Sequence, residues 1–442
     1  MRHKLKSTAG YFIMMLCLLS IQSLQAQDST RSITLKEAID LSITNSHLLK
    51  NNKAKISEAT AAIDEANENR LPDFNVSGSY AYVPIQPTIV LKGSPGGAPP
   101  GTPRVTSIAY GTANASLPIY TGGKIKYGIE SAKYLEQAAK LDAEDNREAV
   151  ILNTINAYSN LYKSMATVKL VKDNLDQSNQ LVKDFTNLEK NGIVAKNDLL
   201  KVKLQSSNIE LTLLDAESNY KLANVNMALM LGLPEQTVFI TDATSLQQNG
   251  SIKSIEEYEQ LALQSRNDIG ALALRKKAAE LGVKSVKANY YPSLALTAGY
   301  IAAYLPNFLT VTNLVTLGVG VKYNVSSLWK TKSTIAQAEA RVQQITTSQD
   351  MLNDNIRLQI NQAYQGYLLS LKKIDVYQKS VEQAAENYRI TKNKFDNSLA
   401  TTTDLVDADL AQLQTKLNVS NAAADAVVAY NKLLQTAGLL NN

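Results

Sequence analysis

The chain has 442 residues, 45% hydrophobic and 19% charged, with a mean hydropathy of -0.17; it is too polar for a bundle of transmembrane helices and too apolar for a disordered chain. Lys and Arg number 45 against 40 Asp and Glu, and without Arg2, Lys4 and Lys6 of the leader the balance is about +2, so nothing points to a nucleic-acid partner. With Cys17 as the one cysteine and His47 the one histidine beyond the leader, a disulfide, a thiolate metal site and histidine-centred catalysis are all improbable, and no cofactor or metal is expected.

Residues 1–26 read as a secretory signal peptide: basic Arg2 to Lys6, an apolar run from Tyr11 to Leu19, then Ser23-Leu24-Gln25-Ala26. Leu16 before Cys17 is not the small residue a lipoprotein signal needs, so lipidation is not expected. No later window approaches the ~18 apolar residues of a spanning helix. Any membrane crossing must therefore use strands.

A helix is predicted from Leu35 to about Asn69, stopped by Leu71-Pro72, because proline disfavours helix in the residue before it. In the strand that follows, Phe74, Val76 and Tyr80 share one face, and Asp73, Asn75, Ser77 and Ser79 the other. Lys92 to Pro103 is too rich in Pro and Gly for helix or strand and reads as a loop, after which Thr112 to Leu117 alternates again, giving a hairpin over about 73–120. A proline-free run from Lys124 to about Lys190 would extend ~100 Å as helix, and Ile151, Ile155, Tyr158, Tyr162 and Met165 alternate by four and three as in a coiled coil. Gly192 terminates it and Asp198 opens the next helix, a turn near 191–198.

The same order then recurs. A helix from Ile255 to about Asn289 stops at Tyr291-Pro292, and a hairpin over about 293–325 sets Leu294, Leu296, Ala298 and Tyr300, then Leu317, Val319, Val321, Tyr323 and Val325, on apolar faces. A second proline-free run, Lys330 to about Lys394, carries Tyr367, Leu371, Ile374, Val381, Ala385 and Tyr388 in a similar seam and leads to a turn near 397–404. At an offset of 220 Leu41 matches Leu261, Pro72 matches Pro292 and Tyr80 matches Tyr300; at 206 Lys124 matches Lys330, Asp198 matches Asp404 and Gly232 matches Gly438. The mature chain is thus read as two repeats, 27–240 and 241–442.

Four strands of about ten residues are long enough to cross a bilayer when tilted. In lipid, however, strands survive only in closed barrels, and four cannot close. Three copies sharing one 12-stranded barrel is the simplest solution, since eight strands from two copies would leave a lumen filled by side chains. A soluble two-sheet protein leaves the long helices unexplained, and an exported structural or adhesive coiled-coil surface protein has no need of alternating strands ahead of its helices.

These residues resemble the TolC-like outer-membrane efflux protein family. The resemblance rests on Thr34-Leu35-Lys36-Glu37-Ala38, Arg70-Leu71-Pro72, Tyr290-Tyr291-Pro292 and Leu117 to Lys124, and above all on Asn191 to Leu199 and Asn397 to Leu405, which look like the family's periplasmic helix-tip turns. It implies a mostly α chain with a transmembrane β part: long antiparallel coiled-coil helices forming a periplasmic tunnel, and four strands per protomer in a shared trimeric β-barrel in the outer membrane of a Gram-negative bacterium. The implied partners are a homotrimer, outer-membrane lipid, a periplasmic adaptor (membrane fusion protein) and an inner-membrane transporter of an efflux or secretion system. Gly192, Ile193 and Val194 with Ser398, Leu399 and Ala400 would be the adaptor-contact tips, and Asp404 and Asp407 the pore gate. Three positions depart from the family: Asn324 where the second return strand often has Pro, Ser398 in place of the tip Gly, and Ala400 where some relatives carry an Arg latch. No catalytic constellation appears, and carboxylates such as Asp173 and Glu189 sit on polar helix faces, so no enzyme is expected.

Overall fold

The structure, a computed structural model, describes residues 30–85, 105–242, 252–306 and 308–440. The leader and the Lys92–Pro103 segment lie outside the described residues. Strand β1 (Thr30–Ile33) precedes helices α1 (Leu35–Asn45) and α2 (His47–Glu68), the hairpin β2 (Asp73–Tyr82) and β3 (Ser107–Tyr120), and helices α3 (Lys124–Lys190) and α4 (Lys196–Leu231). The second pass runs through β4 (Val238–Thr241), α5 (Ile255–Ser265), α6 (Asn267–Lys287), a 3₁₀ turn, β5 (Ser293–Leu305), β6 (Leu309–Lys322), α7 (Ser327–Asp396) and α8 (Thr402–Thr436). The chain forms two compact units, one of residues 1–50, 145–266 and 354–442, the other of 51–144 and 267–353, and each draws on both halves of the sequence.

The second unit holds an antiparallel sheet in the order β2-β3-β5-β6. Its register places Phe74 opposite Ala115, Val76 opposite Ala113, Ala113 opposite Tyr300, Leu117 opposite Leu296, and Leu296 opposite Val319. Because side chains alternate at every residue, these pairings gather the apolar set of all four strands on one face. Val76, Leu317 and Val321 are 85%, 82% and 67% exposed, so among the described residues no element packs over that face at the outer strands. The opposite face is polar: Ser77 and Thr112 hydroxyls meet at 2.8 Å, and Asn75 donates to Asp73 at 3.0 Å. Both outer strands, β2 and β6, keep one edge unpaired among the described residues. Strand β6 ends at Lys322, so Tyr323 and Val325 are not in it; Asn324 instead opens the turn into α7, its carbonyl accepting the Ser327 N–H at 2.9 Å and its side chain the Ser326 hydroxyl at 2.8 Å.

The predicted single helix ahead of each hairpin is two helices. The first breaks at Ser46, whose N–H still reaches the Ser42 carbonyl (2.9 Å) while its hydroxyl accepts the Leu49 N–H (3.3 Å), so one residue closes α1 and caps α2. Arg266, 220 positions later, repeats the break with its N–H on Ala262. The helix ends facing these breaks are also paired by the repeat. Gly232 and Gly438, both at φ +68°, close α4 and α8, and an added Cβ would fall 2.9 Å from Asn45 Cβ and 3.1 Å from the Arg266 nitrogen. Around them the first unit packs Ile33, Tyr158, Met227, Leu231 and Phe239. The sequence pattern did not indicate β1 and β4, which pair in parallel here; the Tyr158 hydroxyl ties them, donating to Ile33 O and accepting from Asp242 N–H, both at 3.0 Å.

The helical seams run in a shifted register. In α3, Ile151, Ile155, Tyr158 and Leu161 are buried, Tyr162 and Met165 are half-buried, and the seam resumes at Val171, Asn174, Ser178 and Phe185. In α7, Leu371 is exposed, and buried positions fall at Tyr367, Ser370 and Ala384.

Candidate functional site

Both long helices of the first unit turn back through the same backbone device. After α3 the Gly192 N–H bonds to the Glu189 carbonyl and the Ile193 N–H to that of Leu188, each at 2.9 Å; after α7 the Ser398 N–H bonds to Phe395 (2.9 Å) and the Leu399 N–H to Lys394 (2.7 Å). This pair of bonds is the Schellman C-cap, which requires a left-handed residue at its centre. Gly192 supplies it at φ +72° without strain, whereas Ser398 adopts φ +59° against the clash of its own Cβ.

The returning helices start differently. Helix α4 has Ala195 at its N-cap with no side-chain bond, and Asp198 supplies charge in its first turn. Helix α8 begins with a full capping box, in which Thr401 Oγ1 accepts the Asp404 N–H (3.2 Å) and the Asp404 carboxylate accepts the Thr401 hydroxyl (2.7 Å) and N–H (2.8 Å). Those donors hold the Asp404 carboxyl below the usual carboxylate range, the side-chain bond first and the backbone bond second. Asp407, one turn on, is exposed.

A small core locks the two turns side by side. Phe185 and Phe395 stack with centroids 5.2 Å apart, over buried Leu199, Val202 and Leu405. Val194 packs against this cluster and Lys201 Nζ reaches Thr403 Oγ1 at 3.2 Å. Of the six expected tip residues, Val194 and Ala400 are therefore half-buried, whereas Gly192, Ile193, Ser398 and Leu399 are exposed, Ile193 by 66% and Leu399 by 77%. A shallow cleft between the turns is lined by Leu188, Ile193, Asp198, Lys201, Phe395 and Thr403. The structure thus brings the six tip residues and Asp404 into one locale, with Asp407 a turn away.

Two residues of this region were not picked out from the sequence. Asp409 and Asn174, each only 7% exposed, face each other across α8 and α3. Asp409 lies four residues after buried Leu405 and four before buried Leu413, and Asn174 three after Val171 and four before Ser178, so helical periodicity alone places both inside.

The family model for outer membrane efflux proteins matches residues 38–233 and 259–439. The chain belongs to that family. The two matched stretches correspond to the two passes of the fold. BepC, an outer membrane efflux protein of Brucella suis biovar 1 (strain 1330), is 22% identical over 423 residues, covering 91% of this chain and 90% of BepC. Among solved structures, CusC superposes with a TM-score of 0.77 at 18% identity, covering 94% of this chain and 95% of CusC. VceC, an outer membrane protein of Vibrio cholerae, gives 0.73 at 20% identity, covering 91% and 96%. The open-state MtrE outer membrane channel of Neisseria gonorrhoeae gives 0.70 at 14%, covering 92% and 89%. At these identities the likeness shows the fold, mostly helical with a four-stranded antiparallel sheet, and the family match makes the chain an outer-membrane efflux protein.

Proposed function

We propose that three copies of this chain form a passive exit duct through the outer membrane, fed by an inner-membrane transporter through a periplasmic adaptor. The observation that carries the reading is the four-stranded sheet with one continuous bare apolar face and two unpaired edges. In a single copy the apolar face is unstable in water and the unpaired edges are unstable in lipid, where each unsatisfied backbone group costs several kcal/mol. Strands β2 and β6 run in opposite directions within the antiparallel order, so β6 of one copy can add β2 of the next without breaking alternation, and twelve strands enclose a wet lumen lined by the polar face.

The helices support the same assembly. Leu200, Leu204, Leu211, Leu214, Leu222 and Leu229 fall within one narrow stripe of α4, and all are at least half exposed. Leu358, Leu369 and Val376 form a second exposed apolar stripe on α7. Two different apolar stripes are what a head-to-tail ring needs, the stripe of one copy covering the other stripe of its neighbour. At the tips, Ile193 and Leu399 offer apolar contact for an adaptor's helical hairpin, and threefold symmetry would make Asp404 and Asp407 rings of carboxylates at the entrance, with the tunnel lying in the periplasm. Planar-bilayer recording of the purified protein, with native mass spectrometry of the same sample, tests the reading: a conducting trimer is expected, and a folded monomer with its strands intact refutes it.

A further inference from the structure

The Asp409–Asn174 pair poses a hydrogen-bonding problem that the duct does not explain. Asn174 Nδ2 lies 3.4 and 3.3 Å from the two carboxylate oxygens of Asp409, long for a bond to an anion. Asn174 Oδ1 is buried with no partner among the described residues. The two facts have one origin: an ionised carboxylate only accepts, so it can engage the amide's N–H but offers nothing to the amide's oxygen. Leaving a buried acceptor unpaired carries its full desolvation cost.

Among the described residues no cation pairs directly with Asp409. From α7 the neighbour is Tyr388, whose own phenol is pushed up by burial and then by Asp409 and Asp396. On α8 itself Lys416 acts from seven residues along, and from α4 Lys201 is held at Thr403 and Asp198. From α3 the facing group is the uncharged Asn174.

We infer that Asp409 and Asn174 are a proton-binding site linking α8 to α3 above the tips. A proton taken from solvent onto one Asp409 oxygen gives an O–H that donates to Asn174 Oδ1, while the amide N–H donates back to the other oxygen. The acid and amide then form a closed pair of bonds with every polar atom satisfied, and the α3–α8 contact tightens. Burial, the dominant influence on Asp409, acts in the same sense by raising its affinity for the proton, while the Asn174 bond and Lys416 lower it. The sign follows: a carboxyl that binds its proton more tightly folded than unfolded stabilises the contact at low pH, and that stabilisation is lost as pH rises through the folded value. The site is a property of the helix pair and holds whether or not the tips dock an adaptor.

The test uses the full-length protein in lipid nanodiscs. Infrared difference spectra with isotope-labelled aspartate should show a protonated-carboxyl carbonyl band that titrates above the normal Asp range, and Asp409→Asn should remove it. Amide exchange of residues 402–412, corrected for intrinsic rates, should slow between about pH 8 and pH 5 by roughly tenfold per pKa unit displaced. In Asp409→Asn it should stay slow throughout, and in Asn174→Val the band should persist without the slowing. A wild-type spectrum with no such band, an equal pH response in Asp409→Asn, or exchange that follows sodium concentration at fixed pH would each overturn the assignment.

Discussion

The two tip turns share hydrogen bonds and differ in the residue that must be left-handed, which makes them an internal experiment on backbone strain. Gly192 has open space where a Cβ would stand, with nothing within 4 Å, so Gly192→Ala is opposed by conformation alone. The left-handed penalty for a residue with a Cβ is about 1–2 kcal/mol, offset by about 0.4–1 kcal/mol from the lower entropy of the unfolded alanine chain. The net loss is about 1 kcal/mol, a factor of about five in local opening. Ser398→Gly is the mirror case and should gain about as much. The reporters are the Ile193 and Leu399 amides, which close the two turns on Leu188 and Lys394. Native-state hydrogen exchange should therefore speed up about fivefold at Ile193 in the first variant and slow about fivefold at Leu399 in the second. Equal exchange in wild type and both variants would mean that neither turn uses a left-handed residue, and the reading of the tips as paired Schellman caps would fall.

Further expectations are simpler. Ile193→Asp and Leu399→Asp, on exposed apolar residues of the tips, should abolish efflux of a test toxicant while immunoblots show normal trimer levels; normal export in both would remove the tips from the adaptor interface. Leu211→Arg with Leu222→Arg, on the bare α4 stripe, should lower the temperature at which trimers dissociate on semi-native gels, and an unchanged melting profile would take α4 out of the subunit contact. Cysteines at Ser94 or Thr102, in the loop read between the first two spanning strands, should react with an impermeant maleimide on whole cells, whereas labelling only after outer-membrane disruption would invert the hairpin.

What the sequence revealed and what it hid divide along a physical line. Period-two alternation is a local property, so the faces of β2, β3, β5 and β6 were readable, and the observed register lines up the same residues across four strands. Gly192 announced its turn because left-handed backbone selects glycine, and Gly232 and Gly438, met in the sequence only as a repeat pair, adopt the same backbone. The breaks at Ser46 and Arg266 carry no such mark: neither residue is Pro or Gly, and each break is stabilised by contacts with the remote ends of α4 and α8. The β1–β4 pair joins four-residue strands some two hundred positions apart, below the length at which a pattern can be recognised. Tyr323 and Val325 kept the alternation of β6, yet Asn324 between them has the side chain to start a turn, and local hydrogen bonding overrode periodicity. In the long helices the heptad spacing was sound, but several apolar residues can serve one seam. Leu161 and Tyr162 are adjacent candidates, and three-dimensional packing chose Leu161.

The remaining question is which acids at the tip act on ions, and the structure separates two residues that sequence treats alike. Asp404 is spent locally, its carboxylate accepting both the hydroxyl and the N–H of Thr401 in the capping box. Its depressed carboxyl implies that it supports the start of α8 above the ordinary Asp value, and that this support is lost as pH falls through the lower folded value. Asp404→Asn should therefore act first on the helix: Asn still caps poorly at that third position, and the reciprocal box that starts α8 is lost. Asp407 is exposed one turn on, beyond the cap. In the proposed trimer three copies of Asp407 would repel one another and raise the local cation concentration at the entrance. Single-channel reversal potentials in a salt gradient then discriminate. Asp407→Asn should reduce cation selectivity with unchanged exchange at the α8 start, and Asp404→Asn should show the reverse weighting. If selectivity survives in the Asp404→Asn/Asp407→Asn double variant, neither acid lines the pore, and the charge at this tip serves the helix alone.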